Sequence, residues 1–212
     1  MRYTVFGATG GIGSLIVDQL LSAGHDVTVY VRTPSKLGLT HERLTVIAGE
    51  LSDHDGLRKA VNGADGVISA LGPSLDRRVG GSALSDGTRA IVAAMQAGES
   101  RRLIGMATPS VKDPRDRPTL RGRLIPVMAR VLFPNSLAEI IAMTKAITDS
   151  DLDWTVVRFI RPTDKPAKGT VRSGFLGVDK VGWTMTRADI AAFITAQLED
   201  TRYIRALPLI SN

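Results

Sequence analysis

The sequence predicts an α/β fold with a doubly wound parallel sheet. Two observations carry that reading: short apolar runs rich in β-branched residues alternate with stretches of helical periodicity, and four glycines separate the first run from the first helical stretch. The 212 residues suit one domain spanning 1–212.

Arg2 to Phe6 reads as a buried strand, followed by a helix over Ile12 to Leu21, where Ile12, Leu15, Ile16 and Leu20 recur at helical spacing and Ala23-Gly24-His25 ends it. Further strands are predicted at Val27 to Val31, Leu44 to Ala48 and Gly66 to Ala70, with a helix over Asp55 to Val61 between the last two. A helix over Ser85 to Ala97, a strand over Arg102 to Met106 and a strand over Trp154 to Arg158 continue the alternation. Connections this short imply right-handed crossovers and parallel strands. Between the last two strands lie two helical stretches, Leu120 to Leu132 and Leu137 to Ser150. In the first, Leu124, Ile125, Met128, Val131 and Leu132 form one apolar face, while Arg121, Arg123 and Arg130 can reach water. Packing on the sheet is the plain expectation for that face; a substrate-pocket wall and a subunit contact are the alternatives. Thr186-Arg187-Ala188-Asp189 opens a last helix with Ile190, Phe193, Ile194 and Leu198 as its buried stripe.

Composition narrows the function. Hydrophobic residues at 43% and charged residues at 23% are ordinary for a globular chain. No apolar run approaches the roughly 20 residues a membrane span needs, and no signal-peptide pattern precedes the first strand, so a cytoplasmic protein without a membrane partner is expected. With no cysteine and three scattered histidines, His25, His41 and His54, thiolate chemistry is excluded and no metal site is expected. The net charge of +6 has one local source, Lys112 to Arg130, where six basic residues meet only Asp113 and Asp116. No aromatic residue interleaves there to stack bases, so nucleic acid is not expected. A solvated loop is the simple reading, and a basic rim for an anionic substrate or cofactor phosphates is the other.

Gly7-Ala8-Thr9-Gly10-Gly11-Ile12-Gly13 lies between a predicted strand and a predicted helix, the context in which a glycine pattern acquires meaning. Gly7 permits the sharp turn, Gly10 lets the backbone approach a pyrophosphate, and Gly13 brings helix and strand together. Backbone N–H groups and the helix dipole then favour phosphate. Thr9, Gly11 and Ile12 complete the predicted contact segment of a Rossmann dinucleotide site. The second strand selects the cofactor. NAD enzymes place an acid near its end for the ribose 2′-hydroxyl, yet no acidic residue stands between Asp26 and Glu42. Arg32 can stack on adenine and pair with a 2′-phosphate, with Thr33, Ser35 and Lys36 as helpers, so NADP(H) is expected over NAD(H). The plain alternative for Arg32 is a surface arginine.

The segments GATGGIG, TVYVRTPSKL, Gly49-Glu50-Leu51, Ile68-Ser69-Ala70-Leu71-Gly72, SDLDWTVVR and TRADI resemble the atypical short-chain dehydrogenases/reductases. The likeness is to their NAD(P)H-binding group of NmrA-like and biliverdin reductase B-like proteins. The resemblance implies that Glu50 and Leu51 lie along the adenine and that Ala70, Leu71 and Gly72 follow the central riboses. It puts a hydroxyl near the nicotinamide after the fifth strand, with Thr108 first and Ser110 second, and Lys145 on the helix before the sixth strand, at the nicotinamide ribose or, as the alternative, as a plain solvent-facing lysine. The chain departs from the family in carrying Glu50 for the usual Asp, and Arg158-Phe159 for the usual Arg-Pro.

Short-chain dehydrogenases reduce carbonyls with a Tyr-x-x-x-Lys pair, in which the lysine lowers the tyrosine pKa. Here Ile141 stands four residues before Lys145, and Tyr3, Tyr30 and Tyr203 lie elsewhere. The expectation is therefore an NADPH-dependent reductase handing hydride to a conjugated acceptor such as a flavin, quinone or tetrapyrrole. A non-catalytic NADP(H) redox sensor of the NmrA-like kind is the alternative, and an isomerase or epimerase the third. A small-molecule substrate is the expected partner, its pocket drawn from about 108–150 and 160–185, in a monomer or homodimer.

Overall fold

The computed structural model describes residues 1–74, 76 and 81–212. Strands β1 (Arg2–Phe6), β2 (Asp26–Val31), β3 (Leu44–Ala48), β4 (Gly66–Ser69), β5 (Arg102–Ala107) and β6 (Asp153–Arg158) pair in the parallel order β3-β2-β1-β4-β5-β6. This is the doubly wound order of a Rossmann sheet. The chain moves outward from β1 to β3, then crosses back to β4, which leaves a crevice at the carboxyl ends of β1 and β4.

Helices cover both faces. On one face, α1 (Gly13–Ser22) contributes Ile16, Val17 and Leu20 and α6 (Arg187–Ala196) contributes Ile190, Phe193 and Ile194 to a core shared with Val5 and Val29. On the other, α2 (His54–Val61), α3 (Ala83–Gln96) and α5 (Pro134–Thr148) bring Leu57, Ile91, Met95 and Ile147 against Phe6, Val67 and Val156. Strands buried on both faces explain why β1, β4 and β6 read as nearly continuous apolar runs.

Several elements depart from the sequence reading. Four short strands, β7 (Pro162–Thr163), β8 (Arg172–Gly174), β9 (Met185–Thr186) and β10 (Leu209–Ser211), carry no predictive pattern. β10 extends the sheet beyond β6 and pairs antiparallel with β8, while β7 and β9 form a separate parallel pair. The segment after α6 is thus part of the core: Ala206, Leu207, Leu209 and Ile210 are buried. A three-residue strand has no periodicity to read and exists only because the edge of β6 is open to it.

The largest correction concerns α4 (Leu120–Leu132). Its apolar face does not pack on the sheet; Leu124, Met128, Val131 and Leu132 are exposed and Ile125 is half-buried. Arg123 and Arg130 do reach water, and the side chain of Arg121 lies outside the described set. The basic stretch before it is not a plain solvated loop either. Asp113 and Asp116 are its buried anchors: Asp116 accepts from fully buried Arg158 at 2.6 and 2.8 Å, and Asp113 pairs with Arg115 at 2.7 Å and accepts from the Leu207 N–H at 2.8 Å. Arg158 also donates to the carbonyls of Val111 and Leu207. One guanidinium at the end of β6 therefore fastens both the loop after β5 and the C-terminal segment.

Candidate functional site

The glycine turn occupies the crevice at the carboxyl ends of β1 and β4. Gly7 has φ +79° and carries the chain out of β1; a Cβ there would come within 2.6 Å of the Ala70 carbonyl oxygen. A Cβ on Gly13 would fall 2.1 Å from the Gly7 oxygen, so this glycine is what allows α1 to sit against the strand. Gly10 is different. Its N–H donates to the Gly7 carbonyl at 3.0 Å, and an added Cβ would meet nothing nearer than that oxygen at 3.4 Å. The space beyond Gly10 is the space a phosphate would need.

The start of α1 is left open electrically as well as sterically. Ile12 at the N-cap provides no side-chain acceptor, and the first turn holds no acid. The N–H groups of Gly11, Ile12 and Gly13 have no hydrogen-bond partner among the described residues. Three free donors at the positive end of a helix form an anion cradle. Thr9, Gly10 and Gly11 are exposed around it.

Around this cradle the structure brings together most of the residues expected from the sequence. Arg32 follows β2 as an exposed side chain with no ion pair among the described residues, and Thr33 stands at the N-cap position of the short 3-10 turn Pro34–Lys36 without a side-chain capping bond. Exposed Glu50 and half-buried Leu51 follow β3. The Tyr30 hydroxyl donates to the Glu50 carbonyl at 2.9 Å, and Leu51 packs where a Cβ on Gly87 of α3 would stand. Ala70, whose N–H donates to Phe6, Leu71 and Gly72 continue from β4. Thr108 and Ser110 follow β5, both half-buried, and the Thr108 hydroxyl has no hydrogen bond among the described residues.

Lys145 is not brought to this group. It is 71% exposed near the C-terminal end of α5, pairs with Asp149 at 2.6 Å, and faces a groove lined by Val111, Lys112, Trp154 and Arg205. The part of α5 that reaches the crevice is its first two turns. There Ser136 donates to the Ser74 carbonyl at 2.5 Å, and buried Glu139 accepts from the Ser85 N–H at 2.7 Å. Glu139 thereby caps α3 from a neighbouring helix and fixes the segment that leaves β4.

Arg187 is the other residue the sequence reading did not single out as a site residue. It opens α6, pairs with Asp164, and its stem lies over the glycine turn: a Cβ on Gly11 would stand 3.3 Å from both Arg187 Cδ and Nε. Its neighbour Asp189 holds the overlying loop. Buried Asp189 accepts from the N–H groups of Lys168 and Gly169 at 2.8 and 3.1 Å and from Thr186 and Asn212. Burial alone would raise the Asp189 carboxyl, but these donors outweigh it and hold it below its ordinary value.

None of the three tyrosines is placed on the helix before β6, and neither Tyr3 nor Tyr30 is tuned as an acid. Burial, with Glu199 and Asp65, pushes the Tyr3 phenol up, and its hydroxyl meets Met1 Sδ. Burial, with Asp53 and Glu50, does the same to Tyr30. Tyr203 bonds the Ser173 hydroxyl at 3.0 Å.

A family model described as NAD(P)H-binding matches residues 7–201. The chain belongs to this NAD(P)H-binding family. The matched range covers the cradle and every residue grouped around it, and the free N–H donors and the open side of Gly10 fit a dinucleotide phosphate. Among curated proteins, an isoflavone reductase homologue from Solanum tuberosum is 35% identical over 105 residues, 45% of this chain. The chain covers 32% of that protein, about a third of its length. Among solved structures, a short-chain dehydrogenase/reductase from Veillonella parvula in complex with NADP matches with TM-score 0.76 and 21% identity, over 100% of this chain and 94% of that one. An anaerobillin reductase from Escherichia coli O157:H7 matches with TM-score 0.76 and 18% identity, over 99% and 96%. At these identities the two structures speak for the fold. Among the described residues no helix is long and apolar enough to cross a membrane, and no group of three histidines or carboxylates could hold a metal ion.

Proposed function

We propose that the chain is an NADPH-dependent reductase that hands hydride to a conjugated small-molecule acceptor such as a flavin, quinone or tetrapyrrole. The observation that carries the proposal is the charge around the cradle: Arg32, with no ion pair among the described residues, stands after β2 where NAD enzymes place an acid, and Arg187 lies over Gly11. The N–H groups of Gly11, Ile12 and Gly13 bind the pyrophosphate, and Arg187 faces it in place of Asp164. Arg32, helped by Thr33, takes the 2′-phosphate through charge-assisted bonds. Glu50 and Leu51, held by Tyr30 and α3, border the adenine; Ala70, Leu71 and Gly72, fixed through Glu139 and Ser136, border the riboses.

The nicotinamide, when bound, supplies the hydride. Thr108, just after β5 and with no side-chain hydrogen bond among the described residues, would offer its hydroxyl to the nicotinamide carboxamide, with Ser110 next in the same loop. Lys145 takes no part in this arrangement. With every tyrosine engaged elsewhere, no side chain offers the lowered phenol that carbonyl reduction uses. An extended π-system accepts hydride without such an acid, and its proton can come from solvent. Relatives bearing reductase names, including the potato homologue and the Escherichia coli structure, support the same direction.

The test follows NADPH oxidation at 340 nm with FMN, dichlorophenol-indophenol and menadione as acceptors. Turnover with any of them supports the reductase. Tight NADPH binding without turnover refutes it and favours a redox sensor.

A further inference from the structure

Helix α4 is built inside out. At 100° per residue, Leu120, Leu124, Val127 and Met128 fall within about 100° of its circumference. These four side chains are 75, 51, 59 and 57% exposed. The opposite side holds Gly122, buried against Leu176, with half-buried Pro126 and Ala129. Exposed Arg123 and Arg130 lie together on one flank of the apolar face. Phe133, also exposed, ends the helix, and exposed Val178 stands in the adjoining loop, where Gly177 packs on Arg117 and Thr119.

The charge is as one-sided as the hydrophobicity. Between Asp116 and Glu139 the only charged residues are Arg117, Arg121, Arg123 and Arg130. A second copy of this face would bring arginine against arginine with no carboxylate on the helix to neutralise either, and like charges directly opposed are unfavourable. A surface offering negative charge beside an apolar layer satisfies both halves. We infer that α4 lies in the plane of an anionic lipid surface, its apolar face entering the acyl boundary and its arginines reaching the phosphates. Among the described residues no helix is long and apolar enough to span the bilayer. The sequence expectation of no membrane partner rests on the absence of a spanning segment and does not extend to this surface. The inference is independent of the cofactor reading.

Vesicle flotation of the full chain tests it, with phosphatidylcholine alone against phosphatidylcholine carrying about 30% phosphatidylglycerol, at about 0.1 M and about 0.5 M salt. Binding to the anionic vesicles should exceed binding to neutral ones by at least about tenfold at low salt and fall at high salt. Arg123→Gln and Arg130→Gln should each weaken it about fivefold. The double variant Leu124→Asp, Val127→Asp should abolish it while keeping the wild-type circular dichroism and melting temperature, because both side chains are already in water. Equal binding to the two vesicle types, or binding to neither, overturns the inference. So does a concentration-dependent dimer in sedimentation that Val127→Asp dissociates, which would make a second copy the occupant.

Discussion

Gly10→Val and Gly13→Ala separate what the glycine turn does for the cofactor from what it does for the fold. An added Cβ at Gly10 meets only the Gly7 oxygen, at 3.4 Å. The fold therefore accommodates the valine, at a cost within about 0.5 kcal/mol for an exposed site. For a chain of this size that moves the melting temperature by no more than about 2 °C. The same methyl groups stand over the free N–H groups of Gly11 to Gly13. Each charge-assisted bond to a phosphate contributes about 1.5–3 kcal/mol, so blocking two weakens NADPH by at least about 3 kcal/mol, roughly 150-fold. Gly13→Ala reverses the balance. Its Cβ falls 2.1 Å from the Gly7 oxygen and 2.8 Å from the Gly7 carbonyl carbon, both backbone atoms that cannot rotate away. Overpacking of that kind costs about 1–3 kcal/mol or more, a fall of about 2–12 °C. Calorimetric titration with NADPH and thermal melting of the same samples give both numbers. If Gly10→Val binds NADPH within about threefold of wild type, or melts as low as Gly13→Ala, the open side of the turn has been misassigned.

Cofactor fragments divide the two arginines: Arg32→Ala should weaken 2′-AMP and leave ADP nearly unchanged, and Arg187→Ala should do the opposite, each by about tenfold or more. Identical losses for both fragments would show that neither arginine has the assigned phosphate. Wild-type NADPH should bind at least about tenfold more tightly than NADH, and equal affinities in a titration would sink the 2′-phosphate assignment. Asp116→Asn strands the buried Arg158, a loss of about 3–5 kcal/mol, so its melting temperature should fall by about 6–20 °C at neutral pH. Burial raises the Asp116 carboxyl, but bonds from Arg158 and from the N–H groups of Asp113 and Leu176 outweigh that and hold it below its ordinary 3.8. A depressed carboxyl contributes stability above its unfolded value and loses it as pH falls through the lower folded value. Between pH about 5 and about 2 the wild type should therefore lose more stability than Asp116→Asn; parallel acid profiles would argue against the pair. Finally, Tyr3→Phe, Tyr30→Phe and Tyr203→Phe should each keep acceptor reduction within about tenfold, whereas Thr108→Ala should alter kcat measurably. A tyrosine variant that stays folded and NADPH-bound yet loses a hundredfold or more would restore a tyrosine acid, since such an acid is worth about 10²–10⁴-fold.

The sequence by itself determined the doubly wound sheet, because each of the six long strands and each of the six helices carries its own periodicity within a single stretch of chain. It also determined the glycine turn: Gly7, Gly10, Gly11 and Gly13 fall within one heptapeptide, so the turn, the open donors and the helix start are all local consequences of it. The place of Arg32 was legible for the same reason, since the end of β2 is a fixed place relative to that turn; its role as a 2′-phosphate partner is the proposal made above.

What only the tertiary structure decided is everything that depends on partners far apart in sequence. Arg187 meets Gly11 across 176 residues because α6 packs beside α1, and Glu139 reaches Ser85 because α5 packs on α3. The family resemblance singled out Lys145, with a plain solvent-facing lysine as the alternative; α5 runs antiparallel to the strands, so its last turns point away from the carboxyl edge where its first turns arrive, and Lys145 is exposed. The apolar pattern of α4 was correct as a pattern and wrong as to its direction. Periodicity fixes which residues share a face, whereas the orientation of that face is set by the neighbour available to it, and here Gly122 turns toward Leu176 and leaves the leucines outside.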